Sequence, residues 1–247
     1  MMQQFVDLFY RYGGVYMLKE ESYKVSQMDY TIPTITYEEI QARRSKIYLF
    51  TKKLIDIVGA SLGLILLSPL FLIIIVLIKI DDFKAPIFFG HERVGKDMKH
   101  FKCWKFRTMV PNAQKVFENF TPEQKEEFAV NFKLKDDPRI TKIGNVLRKT
   151  SLDELPQIWN ILVGQMSIVG PRPIVDEELE KYGQYQDILV SVKPGLTGLW
   201  QCSARSNCTY EERVTLDMEY ISSRSLKMDM IIIFKTFGKV FRREGAY

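Results

Sequence analysis

Apolar and polar positions are distributed unevenly along this 247-residue chain. From Ile57 to Ile78 there are 22 consecutive residues without a charge, nearly all of them apolar. At about 1.5 Å per residue a helix of that length reaches roughly the 30 Å of a bilayer core. The length favours membrane insertion over burial in a soluble core. A cleaved signal sequence fits poorly, because the run begins after Asp56 and no small-residue cleavage site follows it. Ser68-Pro69 lies mid-run, where proline removes a backbone donor and bends a helix. Lys52 and Lys53 precede the run, with Arg43 and Arg44 further back, and Lys79 and Lys84 follow it. Basic residues concentrate on the cytoplasmic flank of a membrane segment, and here both flanks qualify. A helix that enters, bends at Ser68-Pro69 and leaves by the same face satisfies both, although Asp81 and Asp82 dilute the second flank.

A second helical pattern closes the chain. In "MDMIIIFKTFGKVFRREGAY" the residues Met230, Ile233, Phe234, Phe237 and Phe241 recur at helical spacing, with Lys235, Lys239, Arg242 and Arg243 supplying charge. Such a helix suits an anionic membrane interface, or packs its apolar face on the core. After the apolar run, "APIFFGHERVGKDMKHFKCWKFRTM" predicts a β-hairpin turning at Gly95-Lys96-Asp97. "PNAQKVFENFTPEQKEEFAVNF" predicts polar helix broken near Thr121-Pro122. Nothing alternates strand and helix regularly, which argues against a doubly wound parallel sheet. The fold class expected is α+β, mostly helical with a small β-hairpin or sheet. Residues 1–50 form an extension to which the sequence assigns no role.

Composition narrows the chemistry. The chain is 46% hydrophobic and 26% charged with a net charge of +5, a mild excess that suits an anionic partner without choosing one. Cys103, Cys202 and Cys208 form no CxxC pair and read as reduced thiols. His91 and His100 are the two histidines, too few for a His-rich zinc site. Acid–base and nucleophilic work therefore falls to carboxylates or lysine. No recognised nucleic-acid module appears.

One stretch concentrates such groups. "RKTSLDELPQIWN" places Asp153 and Glu154 side by side after basic residues. Ser151-x-x-Glu154 has capping-box spacing, so both acids could simply stabilise the start of the helix "ELPQIWNIL". Nearby stand Arg139, Lys142, Arg148, Lys149 and the Arg172 of "VGPRP", and "KCWKFRTM" adds Lys102, Lys105 and Arg107. Convergent cations with two acids also describe a phosphoryl-transfer site.

"DDPRITKIGNVLRKTSLDELPQIWNILVGQMSIVGPRP" closely resembles the bacterial sugar transferases called monotopic phosphoglycosyl transferases. So do "FKCWKFRTM", "VKPGLTGLWQ" and the Ser-Pro within the apolar run, together covering residues 51 to 245. The resemblance implies an enzyme of the bacterial inner membrane, on its cytoplasmic face, moving a sugar-1-phosphate from a UDP-sugar to undecaprenyl phosphate. Residues 51–80 would be a re-entrant membrane helix and 81–247 the cytoplasmic catalytic domain. By resemblance Asp153 is the nucleophile and Glu154 the Mg²⁺-binding acid. Lys105, Arg148 and Arg172 match basic active-site positions, and Asp229 matches a further functional acid. Lys193, Gly195, Thr197 and Arg205 lie in a region that is a candidate for nucleotide or sugar. Gln165 stands where the family usually has an acid, and Ala204 where it usually has glycine. Trp200 in "GLWQ" and the terminal "EGAY" resemble members acting on hexoses. A phosphodiester hydrolase, or an adaptor that only binds nucleotide sugars, would share much of this pattern. The sequence leaves the sugar unnamed and a homodimer open.

Overall fold

The computed structural model describes residues 45–131, 134, 136–203 and 209–242. All of them fall in one compact unit, Ile32–Tyr247. Helix α1 (Lys46–Asp81) has 36 residues and starts ahead of the boundary expected at 51. Ser45 caps it, accepting from the Tyr48 N–H. The helix continues through Pro69, whose ring leaves the Ile65 carbonyl without its i+4 donor. The Ser68 hydroxyl takes that carbonyl at 2.7 Å, which keeps the position satisfied.

β1 (Phe88–Val94) and β2 (His100–Phe106) form the predicted antiparallel hairpin, with Gly90 opposite Trp104 and Phe89 opposite Lys105. The turn closes between Gly95 and Lys99, with Asp97 and Met98 left-handed at φ 55° and 59°. α2 (Ala113–Glu118) and α3 (Pro122–Asn131) confirm the break near Thr121-Pro122. Phe117 and Phe128 from these helices and Phe120 from the link between them surround the Arg139 guanidinium at 5.0–5.4 Å, and Asp137 grips it from the side. Arg139 is thus a fastener of this subassembly.

α4 (Lys142–Lys149) leads to a 3₁₀ turn, Leu152–Glu154, and then α5 (Gln157–Leu162). β3 (Ser167–Val169) and β4 (Gly195–Thr197) pair in parallel. Between them lie α6 (Asp176–Leu179), a 3₁₀ segment Glu180–Tyr185 and α7 (Gln186–Val190). This second sheet was not expected; three-residue strands carry too little alternation to register as a pattern. The described chain closes with α8 (Leu199–Ser203), α9 (Tyr210–Ser223) and α10 (Leu226–Arg242). Mostly helical architecture with small sheets is as expected.

α1 packs along its whole length. Ala60, Leu64 and Leu67 join Phe101, Cys103, Ile158 and Met166 in one core. Leu70, Phe71, Ile74 and Ile78 join Phe106 and Leu147 in another. Its remaining surface stays exposed and apolar, including Leu62, Ile65, Leu66, Leu72, Ile73 and Val76. Only 11% of its most apolar window is buried, unlike the core helix of a soluble protein. The C-terminal α10 divides similarly: Asp229 and Ile232 face inward, while Met230, Phe234 and Phe237 are exposed.

Candidate active site

Strand alternation explains how a lysine reaches the acids. Lys105 shares a face of β2 with the buried Phe101 and Cys103, so its stem starts at the core and its ammonium ends over the 3₁₀ turn. There it lies 2.6 Å from Glu154 Oε1 and 3.8 Å from Asp153 Oδ2. The capping box does not form. Ser151 is left-handed at φ 56° and makes no cap bond, and the Glu154 carboxylate is drawn to Lys105 instead of reaching back. The positive φ reverses the chain after α4 and drives Asp153 inward to 8% exposure. A non-glycine residue held there is strained by about 1 kcal/mol or more, a departure common at functional sites.

The two acids are pushed apart electrostatically. Burial raises Asp153, and the neighbouring Glu154 charge adds to this against the pull of Lys105 and Arg148. Burial also pushes Glu154 upward, but Lys105, Arg172 and Arg93 together outweigh it and hold the carboxyl below its usual range. Arg148 is fixed by its Nε–H donating to Thr108 Oγ1 at 2.9 Å, and its charge acts on Asp153. Arg93, not singled out in the sequence, joins this rim. Its guanidinium donates to the Pro173 carbonyl of the "GPRP" loop and to Glu178. A basic residue beside the hairpin turn was the available signal, but its closeness to Arg172 exists only in the fold. A buried carboxylate, an ionised partner and four cations form a site for displacement at an anionic centre.

Comparison with known proteins decides the class. The sequence profile of the bacterial sugar transferases matches residues 47–243. The chain belongs to that family. It is 50% identical over 201 residues to a UDP-galactose-lipid carrier transferase of Erwinia amylovora, covering 80% of this chain and 42% of that protein. It is 48% identical over 200 residues to the exopolysaccharide production protein ExoY of Sinorhizobium fredii, covering 80% of this chain and 88% of the relative. The undecaprenyl-phosphate galactose phosphotransferase of Salmonella typhimurium shares 47% over 209 residues, covering 83% of this chain and 43% of that protein. The chain therefore spans less than half of some relatives and nearly all of others.

Other positions the family resemblance singled out fall elsewhere in the fold. Asp229 accepts from Tyr48, Lys52 and Tyr220, joining the start of α1 to α10. Lys193 lies under the influence of Asp56, Lys53 and Lys96, and its pKa is lowered by burial first. Thr197 bonds Thr236 at 2.7 Å, and Gly195 approaches the backbone of Gly170 too closely for any side chain. Arg205 and Ala204 lie outside the described residues. Arg107 is buried and donates to the carbonyls of Ile78, Pro86 and Met109, which ties the end of α1 to the strand that follows the hairpin turn. Gln165 accepts from the fully buried Asn160 at 2.7 Å through its amide oxygen, a bond that a carboxylate could make equally. Asn160 in turn holds the β2 backbone at Lys102 and Trp104. Asp56, given no role by the sequence, accepts from Ser167 Oγ and the Ile168 N–H. It adjoins the apolar run as a lone acid, and that isolation was its signal.

Proposed function

We propose that the chain transfers a sugar-1-phosphate from a UDP-sugar to undecaprenyl phosphate, releasing UMP, as a priming step of exopolysaccharide, capsule or glycan synthesis. The observation that carries this reading is the division within one carboxylate pair: Asp153 raised by burial, Glu154 held ionised by cations. The more basic carboxylate is the better nucleophile, and the one held ionised is the better cation ligand. Asp153 attacks the phosphorus that carries the sugar. A P–O bond to the carboxylate forms, the bridging P–O bond breaks, and UMP leaves with the electron pair. A lipid phosphate oxygen then attacks the same phosphorus, the aspartyl P–O bond breaks, and the carboxylate returns. Lys105, Arg148 and Arg172 neutralise the two successive anionic substrates and the charge that develops between them. The relatives' names, which specify transfer to undecaprenyl phosphate, support donor and acceptor alike.

Mg²⁺ belongs to the same proposal. Among the described residues no group of three or more His, Cys, Asp or Glu could hold a metal. Two adjacent carboxylates with diphosphate oxygens nevertheless suit Mg²⁺, which binds through few protein ligands and substrate phosphates. Glu154, one of whose oxygens Lys105 leaves free, would hold it. When bound, the ion supplies charge neutralisation on the diphosphate.

α1 is read as re-entrant, with the catalytic domain at the cytoplasmic face of the bacterial inner membrane. Both halves of the helix pack on the same polar domain, one on either side of Ser68-Pro69, which supports a shared face for both ends. The exposed Met230, Phe234 and Phe237 of α10 suit contact with membrane lipids.

The deciding experiment is mass spectrometry of the protein after incubation with UDP-sugars and Mg²⁺. A phosphosugar adduct on Asp153 is expected, and Asp153→Asn should show neither adduct nor transfer while still folding and partitioning to membrane. Full transfer by the Asn variant would refute the mechanism.

A further inference from the structure

β1 departs from the burial expected of a strand. Adjacent strand residues project to opposite faces, and one of two neighbouring phenylalanines normally turns inward. Here Phe88 is 41% and Phe89 56% exposed. Phe89 lies directly opposite Lys105 in the hairpin. Residues so opposed project from the same face, with Cβ atoms about 5 Å apart. The Phe89 ring therefore stands beside the stem of the lysine that bonds Glu154 at 2.6 Å and comes within 3.8 Å of Asp153. His91 and Arg93 continue the same face. The His91 ring lies 6.0 Å from that of Phe89, and Arg93 donates to His91 Nδ1 at 2.9 Å and to the Pro173 carbonyl. One face of one strand thus runs from an exposed phenyl group to the cations of the site.

The opposite face leads back to α1. Phe88 stacks on Phe106 at 5.4 Å, and Phe106 meets Phe71, two residues beyond Pro69, at 5.2 Å. Ile80 at the end of α1 and Phe83 in the link to β1 are exposed as well. That link is pinned: Lys79 donates to the Phe83 and Ala85 carbonyls at 2.8 and 2.9 Å, and Arg107 donates to that of Pro86. The exposed apolar surface of α1 is carried along the chain through Phe83 and Phe88 to Phe89, where it ends at an ammonium. Grouped apolar side chains held at a surface mark a binding site, and this pattern matches an amphiphile with an apolar chain and an anionic head.

We propose that Phe83, Phe88 and Phe89 form the docking surface for the isoprenoid chain of the lipid acceptor, with Phe89 seating the unit next to the phosphate. This rests on the transfer to undecaprenyl phosphate argued above. The chain runs along the end of α1 and the start of β1, and its phosphate reaches Lys105 beside the phosphorus held at Asp153. A nucleoside or sugar fits this surface poorly, because the three rings leave its polar edges without hydrogen-bond partners.

The test joins photo-crosslinking with half-reaction kinetics, both on the full chain in detergent. A benzophenone-bearing polyprenyl phosphate should crosslink to residues 80–91, and undecaprenyl phosphate, but not phosphatidylglycerol, should compete. Phe89→Ser should raise the KM for undecaprenyl phosphate about tenfold, with most of the loss in discharge of the Asp153 adduct and little in its formation. Phe89→Leu, which keeps an apolar side chain, should restore most of that loss. Crosslinks that map elsewhere would overturn the proposal. Equal competition by phosphatidylglycerol would also overturn it, reducing the surface to a general bilayer contact. Slower adduct formation with an unchanged acceptor KM would do the same by assigning Phe89 to the donor. Because crosslinking needs no turnover, crosslinks at residues 80–91 in a protein that forms no Asp153 adduct would uphold the docking surface and refute the mechanism.

Discussion

Lys105 bonds Glu154 at 2.6 Å and stands 3.8 Å from Asp153, so one ammonium pulls on both acids. In the proposed mechanism Asp153 attacks in its ionised form, and its folded pKa is raised, so the adduct-forming rate should climb with pH through a limb displaced above the usual aspartate range. Lys105→Met removes a cation that pulls Asp153 down. That limb should move further to alkaline pH, and the plateau should fall about 10²–10³-fold. Single-turnover UMP release across pH measures both; an unmoved limb would show that Lys105 does not act on the nucleophile. The acids, Lys105, Arg148 and Arg172 were legible in the sequence because they are grouped in motif-like stretches. The capping box misled, since sequence spacing cannot show that a lysine 49 residues away would claim Glu154. A capping box does form elsewhere: Thr209 and Glu212 exchange both bonds at the start of α9.

At the scale of elements, α1 is the feature most plainly written in the sequence, and its fastenings are the least. The apolar run, the proline and the flanking charges are local. Arg107, which besides its neighbour Met109 donates to the Ile78 carbonyl 29 residues back, is not. The hairpin could be read from its turn and aromatic residues, whereas β3 and β4 are too short to announce themselves. If α1 turns back at Ser68-Pro69, single cysteines near residues 45 and 85 should both react with an impermeant reagent applied from the cytoplasmic side. Labelling from opposite sides would mean that the helix spans the bilayer.

Across the whole molecule, polar ties bind α1 to elements distant in the chain. Lys52 pairs with Asp229 at 2.9 Å, and Asp56 holds Ser167 and Ile168 at the edge of β3. We propose that these bonds make Asp229 a residue of assembly; the resemblance had placed it among the substrate-binding groups. Asp229→Asn should lower stability by about 1–3 kcal/mol through the lost ion pair and leave the adduct rate per folded molecule within a few-fold of wild type. Denaturation in detergent and single-turnover kinetics separate these; loss of the rate with stability intact would restore a catalytic role. Such ties could not be read from one sequence, since nothing local to Lys52 names a partner 177 residues on.

The same separation has a consequence for synthesis. At roughly 5–20 residues per second, translation reaches Asp229 some 10–35 seconds after Lys52 has been made. In the proposed topology the apolar helix meets the bilayer well before its distant partner exists. Its initial orientation must therefore rest on what it carries itself, the basic flanks and Ser68-Pro69, and the ion pair with α10 can only fasten a choice already made.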